Sequence, residues 1–345
     1  MRIGQNPAKM GLPAYHPKRL GIALLSYIPS PEGYFSQSLA ILRYQIASLH
    51  VSTQEFDLLV FDNGSCLEVQ EELRRLQVAG LIHFLVLSPF NLGKTGALNW
   101  VFAAMPNELI CYADSDVFFK PGWFEHSRDI LHAFPKVGFV TAQPCLFDAL
   151  DKGGRAHKIL ENLPGLDVYE TDVPAETLEE FVRGVDDGSS SIRDHLLKRW
   201  QVVRRSEASL GAIIGASHMQ FLANRDAIRE VFPLPARYGL SREDDSLFNV
   251  RIDRAGLLQL STQAFYVFHM GNRLDEHTLA EIQRQGLDEI LGQSSDRPST
   301  VSPFQTNPAK HHTFRLLSRL SRWRAVRRTL QRFYNFLFEF FAQEK

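Results

Sequence analysis

Leu109-Ile110-Cys111-Tyr112-Ala113-Asp114-Ser115-Asp116 is an apolar run that ends abruptly in two carboxylates. A short apolar run without alternation fits a strand buried on both faces, as in a parallel sheet covered by helices. The carboxylates then stand just past the strand's C-terminal end. Upstream the same signature repeats. Leu20 to Tyr27 is an apolar run that ends at Pro29, Phe56 to Phe61 is a second, closed by Asp62-Asn63-Gly64-Ser65, and Leu81 to Leu87 is a third. Between them Ser36 to Leu49, Leu67 to Ala79 and Thr95 to Met105 have helical spacing. Glu68, Glu71 and Glu72 fall near the start of the second helix, where the helix dipole favours them. Repeated βα units predict an α/β fold with an open, doubly wound sheet. Ligands of such sheets bind beyond the C-terminal ends of the strands. That rule selects Ser26-Tyr27, Asp62-Asn63, Ser88 to Lys94, and Asp114 to Asp116.

The stretch 148–210 breaks the pattern. Gly153-Gly154, Pro164-Gly165 and Gly188 to Ser191 punctuate it, with helical spacing over Ala175 to Val185 and Ile192 to Arg205. It reads as a helical insertion. Strand-like signals resume at His218 to Leu222 and Leu257 to His269. A Ser/Pro/Thr-rich linker covers 293–309, and a basic amphipathic helix is predicted over 310–345. Residues 1–19 form an N-terminal extension ahead of a principal domain at 20–292.

The 345 residues carry 38 Lys and Arg against 39 Asp and Glu, a net charge of −1, which gives no global electrostatic case for nucleic acid. Cys66, Cys111 and Cys145 are scattered and odd in number, so neither a disulfide framework nor a zinc pair is indicated. A reducing, cytoplasmic setting is expected. The N-terminal stretch lacks the apolar core of a signal peptide. No run approaches the ~20 apolar residues of a spanning helix.

Two carboxylates as close as Asp114 and Asp116 repel each other unless a cation intervenes. Mg2+ or Mn2+, shared with substrate phosphates, is the natural partner. A solvated acidic turn is the plainer account of an isolated Asp-x-Asp. His269, in Phe268-His269-Met270-Gly271-Asn272, becomes a third ligand only if the fold returns it to Asp116; imidazole suits Mn2+ somewhat better than Mg2+. Glu243-Asp244-Asp245 precedes a helical stretch, Leu247 to Ala255. These acids could simply cap that helix, or one of them could act as a general base. Asn91-Leu92-Gly93-Lys94-Thr95-Gly96 has the look of a phosphate-binding loop. However, Ser88 stands where such a loop needs its first glycine, and Pro89 has no N–H to donate. A kinase or NTPase is the alternative that this segment keeps open.

Taken in order, these segments resemble family 2 glycosyltransferases. Ser26-Tyr27 is similar to the family's first nucleotide-contacting strand end, and Phe61-Asp62-Asn63-Gly64-Ser65 to the segment whose acid holds the base or ribose. Asn91-Leu92-Gly93 with Gly96-Ala97-Leu98-Asn99 resembles its Asn-x-Gly helix start. Asp114-Ser115-Asp116, with Pro121-Gly122-Trp123-Phe124 behind it, resembles the Asp-x-Asp block and the helix that follows. Gly215 to Phe221 is similar to the acceptor-side strand, Glu243-Asp244 to the block with the base, and His269-Met270-Gly271-Asn272 to the late metal-binding turn.

The resemblance implies a GT-A fold, a Rossmann-like open mixed sheet, mostly parallel and flanked by helices. It also implies inverting transfer from a nucleotide-sugar donor, UDP-sugar by default, to a hydroxyl of a glycan or lipid-linked acceptor in bacterial cell-surface polysaccharide or glycolipid assembly. In it Asp116 and His269 ligate Mn2+ or Mg2+, and Asp114 bonds the ribose or the metal. Asp244 is the base, with Asp245 as the alternative and Glu243 beside them. Ser26, Tyr27, Asp62, Asn63, Asn91, Gly93, Lys94 and Ser115 line the donor. Asn224-Arg225-Asp226 departs from the family's usual basic pair, which bears on the acceptor. A catalytically inactive, glycan-binding relative is the second alternative.

In the tail, Leu316, Leu320, Trp323, Leu330, Phe333, Leu337 and Phe341 recur at helical spacing among seven arginines between Arg315 and Arg332. That composition suits a helix in an anionic membrane interface, peripheral at the inner face, or one packed on protein.

Overall fold

The computed structural model describes residues 15–146, 156, 159–160, 162–185, 196–205, 210–235 and 243–292, the side chains of 185, 243–247 and 249 excepted. The expected linker and C-terminal helix, and residues 1–14 of the N-terminal extension, lie outside the described residues.

The first half alternates strand and helix as its apolar runs dictate: β1 (Leu20–Ser26), α1 (Ser38–Ser52), β2 (Phe56–Asp62), α2 (Leu67–Val78), β3 (Phe84–Leu87), α3 (Gly93–Ala104) and β4 (Leu109–Asp114). Then come β5 (Val117–Phe119), α4 (Trp123–Ala133), β6 (Val137–Thr141), β7 (Leu166–Asp172), α5 (Ala175–Val185), β8 (Arg199–Arg205), β9 (Gly211–Ile214) and β10 (Gln220–Asn224). The described chain closes with α6 (Arg225–Val231), α7 (Glu243–Arg254), β11 (Leu258–Ser261), β12 (Val267–His269), α8 (Glu276–Arg284) and α9 (Leu287–Ile290). None of the described helices is long and apolar enough to cross a membrane.

Ten strands form one sheet in the order β3-β2-β1-β4-β10-β6-β11-β9-β8-β7. The pairings from β3 through β4 are parallel. β10 runs against β4 and β6, and β6 pairs β11 in parallel. β9, β8 and β7 continue the sheet in antiparallel fashion. Only β10, β9 and β7 therefore oppose the common direction. The central strands are buried on both faces, and their residues sort by period two. Ile22, Leu24, Leu58, Val60, Cys111 and Ala113 pack with α1, α2 and α4. Ala23, Leu59, Phe61, Ile110 and Tyr112 pack instead with α3 and α7.

Four local expectations change. β3 begins at Phe84 rather than Leu81, because the N–H groups of Leu81 and Ile82 turn back to Leu76 O. The α7 helix starts at Glu243, so the three acids occupy its first turn rather than precede it, where the dipole favours them. Leu257 to His269 splits into β11 in the main sheet and β12, which pairs β5 in a separate two-stranded sheet. The stretch 148–210 holds the expected helix α5, but Arg199–Arg205 is a strand where a helix was predicted. In β8, Trp200 and Val202 enter one apolar cluster and Val203 another, so alternate residues use opposite faces.

Candidate active site

The candidate residues gather at the C-terminal ends of β1, β2 and β4, as the sheet rule requires. Ser26 and Asp62 are register partners at the ends of adjacent strands, and Leu25 pairs with Asp114 on the other side. Both Ser26 and Asp62 are fully buried. Ser26 Oγ and Asp62 Oδ1 have no hydrogen-bond partner, while Asp62 Oδ2 accepts from Ser65 N at 3.1 Å. Burial pushes the Asp62 carboxyl above its ordinary value, opposed by hydrogen bonds from Ser65 and Gly64 and by the charge of Arg74. Tyr27 follows directly in the loop after β1 and is half-buried.

Asn63 ties the loops after β2 and β3 together. Its Nδ2 donates to Asn91 Oδ1 at 3.0 Å and to Gly93 O at 3.4 Å, and its Oδ1 accepts from Leu92 N at 2.8 Å. Asn91 Oδ1 also accepts from Gly93 N at 2.8 Å. Gly93 has φ 70°, a left-handed conformation that explains the glycine at the start of α3 without a phosphate-binding loop.

That turn points Lys94 at the acidic pair. Its Nζ lies 3.0 Å from Asp114 Oδ2, and the hydroxyl of Tyr112 donates to Asp114 Oδ1. Both carboxylate oxygens of Asp114 are thus engaged. Its backbone O accepts from Gln45 Nε2 at 2.6 Å, and its N donates to Met219 O at 2.8 Å. Ser115, half-buried, separates it from Asp116.

Asp116 faces elsewhere. β5 starts one residue after it, and the register pairs Val117 with His269, which brings the end of β12 beside Asp116. Asp116 Oδ2 lies 3.0 Å from His269 Nε2, and Met270 N donates to Asp116 O at 2.7 Å. Asp116 Oδ1 is buried without a partner. His269 Nδ1 lies 2.8 Å from Gly184 O on α5. Burial alone would pull the imidazole pKa down. The hydrogen bond and charge of Asp116, the Gly184 carbonyl and the charge of Asp114 outweigh it and raise the pKa to about 9.

Among the described residues no group of three or more His, Cys, Asp and Glu gathers as a metal site. The protein offers a pair, one carboxylate and one imidazole, with an orphaned carboxylate oxygen. That donor set fits a Mn2+ or Mg2+ whose other ligands are diphosphate oxygens and water. The oxygens of Asp114, the other candidate ligand, are held by Lys94 and Tyr112. Glu243, Asp244 and Asp245 stand on the first turn of α7, and their side chains lie outside the described residues. Phe248 and Ile252, one and two turns later, pack in the same apolar cluster as Tyr112.

Three participants went unread in the sequence: Tyr112, Gln45 and Gly184. Tyr112 is two residues before Asp114 on one strand and hence on the same face, a signal that was available. A broad cleft of about 860 Å³ opens at the opposite end of the strands, lined by Lys18, Arg19, Glu108, Arg225 and Arg229 among others, and holds none of the candidate residues. Its charges are partly matched internally, Arg19 with Glu108 and Arg229 with Asp226.

Comparison with known proteins adds to this geometry. No curated protein matches the chain in sequence. Among solved structures, mannosyltransferase PcManGT from Pyrobaculum calidifontis, in complex with GDP-Man and Mn2+, is 14% identical with a TM-score of 0.44, covering 82% of this chain and 67% of that one. S. aureus TarS 1-349 is 11% identical with a TM-score of 0.43, covering 80% and 72%. Glucosyl-3-phosphoglycerate synthase from Mycobacterium tuberculosis, in complex with Mn2+, uridine diphosphate and glucosyl-3-phosphoglycerate, is 17% identical with a TM-score of 0.39, covering 85% of each chain. Residues 37–181, which hold Asp62, Asn63, Asn91, Gly93, Lys94 and the Asp114–Asp116 pair, match the model of glycosyl transferase family 2.

Proposed function

We propose that this protein is a metal-dependent, inverting glycosyltransferase that moves a sugar from a nucleotide-sugar donor, a UDP-sugar by default, to a hydroxyl of a glycan or lipid-linked acceptor. The setting is bacterial cell-surface polysaccharide or glycolipid assembly, in the cytoplasm or at the inner face of the membrane. One observation carries the reading. Three buried side-chain oxygens without hydrogen-bond partners, Ser26 Oγ, Asp62 Oδ1 and Asp116 Oδ1, lie at one end of one sheet. Buried polar atoms are almost always satisfied, so orphans gathered at a ligand-binding sheet end mark groups that a polar ligand completes.

In this reading Ser26, Tyr27 and Asp62 hold the nucleoside. The Asn63–Asn91–Gly93 network fixes the loop that presents Lys94 to the donor, with Ser115 and Asp114 beside it. Asp116 and His269 would hold Mn2+ or Mg2+, which when bound supplies Lewis-acid stabilisation of the departing diphosphate. Asp244 takes the proton of the acceptor hydroxyl as its oxygen bonds to the anomeric carbon and the bond to the diphosphate oxygen breaks; Asp245 and Glu243 share its helical turn.

The test is a thermal-shift panel of UDP, GDP, dTDP, CMP and ATP, each with and without Mn2+. At about a hundred times its dissociation constant a ligand adds roughly 2.7 kcal/mol of stability. One nucleoside diphosphate stabilising only with Mn2+ is the expected result. It should vanish in Asp116→Ala and persist in Asp244→Asn, which loses transfer. Stabilisation by ATP alone would overturn the proposal in favour of a kinase or NTPase.

A further inference from the structure

Helix α5 comes from the stretch 148–210, and it reaches the candidate metal pair through its last turn. Phe181 and Val182 root it in an apolar cluster with Leu146, Trp200, Val202 and Ile213. Gly184 then meets β12. Its carbonyl oxygen lies 2.8 Å from His269 Nδ1. A carbonyl can only accept, so Nδ1 is the protonated nitrogen. In the neutral ring, Nε2 then carries the lone pair, and Nε2 is the nitrogen 3.0 Å from Asp116.

The approach leaves no room for a side chain. A Cβ on Gly184 would sit 2.9 Å from His269 O and 3.3 Å from its Cβ. One turn earlier Glu180 pairs with Lys120 Nζ at 2.9 Å. Lys120 follows β5, its N donates to Tyr266 O at 2.8 Å, and its ammonium lies 5.2 Å over the ring of Phe268. Helix α5 is therefore pinned to the β5–β12 pair at two points, one of them the imidazole itself.

We propose that α5 is a positioning element for the metal centre. Gly184 fixes the tautomer and direction of His269, and the Glu180–Lys120 pair holds the helix in that register. The inference rests on the reading of Asp116 and His269 as metal ligands. It assigns the 148–210 stretch a part in cation binding that is independent of any acceptor.

The experiment measures Mn2+ binding to the full-length protein without nucleotide, from the electron paramagnetic resonance of free and bound Mn2+. Gly184→Ala should weaken Mn2+ by about tenfold or more, as loss of an outer partner of a ligating histidine does. It should also diminish the nitrogen modulation of a directly bound imidazole, which a general loss of stability would not do selectively. Lys120→Met and Glu180→Gln should weaken Mn2+ to a smaller extent, and Lys120→Arg should restore it. If Gly184→Ala does not fold, Lys120→Met and its rescue carry the test. Unchanged Mn2+ affinity and modulation in the α5 variants, with binding lost in Asp116→Ala, would overturn the positioning role alone. Unchanged affinity in Asp116→Ala would overturn the metal reading and this inference with it.

Discussion

Asp114 and Asp116 stand two residues apart and have different partners. Asp114 faces Lys94 and Tyr112, whereas Asp116 faces His269. The two acids should therefore be separable. Asp116→Asn is expected to lower Mn2+ affinity measured by calorimetry without nucleotide, and Asp114→Asn to leave it within about threefold. Asp114→Asn instead releases Lys94, and nucleoside diphosphate binding should weaken by a hydrogen-bonded charge pair's worth, about 1.5–3 kcal/mol. Equal losses of Mn2+ in both variants would put Asp114 back among the metal ligands. The sequence shows the two carboxylates and their strand, but it does not show their division of labour. That division depends on Lys94, twenty residues upstream, and on His269, which arrives through a strand pairing far along the chain. Gln45 illustrates the same limit. It is a fully buried amide within the apolar run of α1, and its partner is a backbone carbonyl that only the fold brings near. Gly184 left no sequence signal, because its function lies in a missing side chain and a carbonyl.

At the scale of elements, β1 depends on a small residue at its second position. A Cβ on Gly21 would meet Asn107 Oδ1 at 2.3 Å and Met105 Cε at 2.5 Å. Asn107 cannot easily yield, since its Nδ2 bonds Lys18 O at 2.8 Å and Asp57 Oδ2 at 2.7 Å. Gly21→Ala should cost about 1–3 kcal/mol by overpacking, read as a lower urea midpoint at unchanged slope. A second tie joins α1 to α9, where the Tyr44 hydroxyl donates to Asp288 at 3.0 Å. Burial, then the hydrogen bond and charge of Asp288, push the Tyr44 pKa up to about 12. A phenol whose folded value is raised favours the protonated fold. Its contribution is complete below the ordinary value of 10 and disappears as pH rises through about 12. Tyr44→Phe should lose about 1 kcal/mol near neutrality and flatten this part of the alkaline decline. Phenolate absorbance titration should show one fewer late-ionising group. Helices and strands of the first half were legible because each apolar run is short and bounded by turn residues. β8 was not. Leu196, Leu197, Trp200 and Val203 fall at helical spacing by coincidence, while the strand spends Trp200 and Val202 on one face and Val203 on the other. Only the neighbouring strands β7 and β9, themselves weakly patterned, decide between the two periods.

On the scale of the whole molecule, the division of the core explains why the site is assembled where it is. The β1, β2 and β4 strands are buried on both faces, so their side chains are spent on packing and their C-terminal ends are left to meet ligand. The paired helices fix those ends from both sides, α1 through Gln45 and α3 through Lys94. All candidate site residues from Ser26 to His269 fall in one compact unit, Met1–Gln293. Removing 294–345 should therefore leave nucleotide-dependent stabilisation intact, with the same melting shift in UDP and Mn2+ as the full chain. The two chains should part company in sedimentation with vesicles of anionic lipid. The arginine-rich amphipathic pattern of the tail is expected to carry the full chain down with them and the shortened chain to stay in solution, an attraction that weakens as salt rises. Retention of vesicle binding by the shortened chain would assign the membrane contact to residues 1–293 instead. If neither chain sediments, the tail's apolar stripe would belong to a protein contact. Loss of the nucleotide response on shortening would show that the tail takes part in forming the donor site.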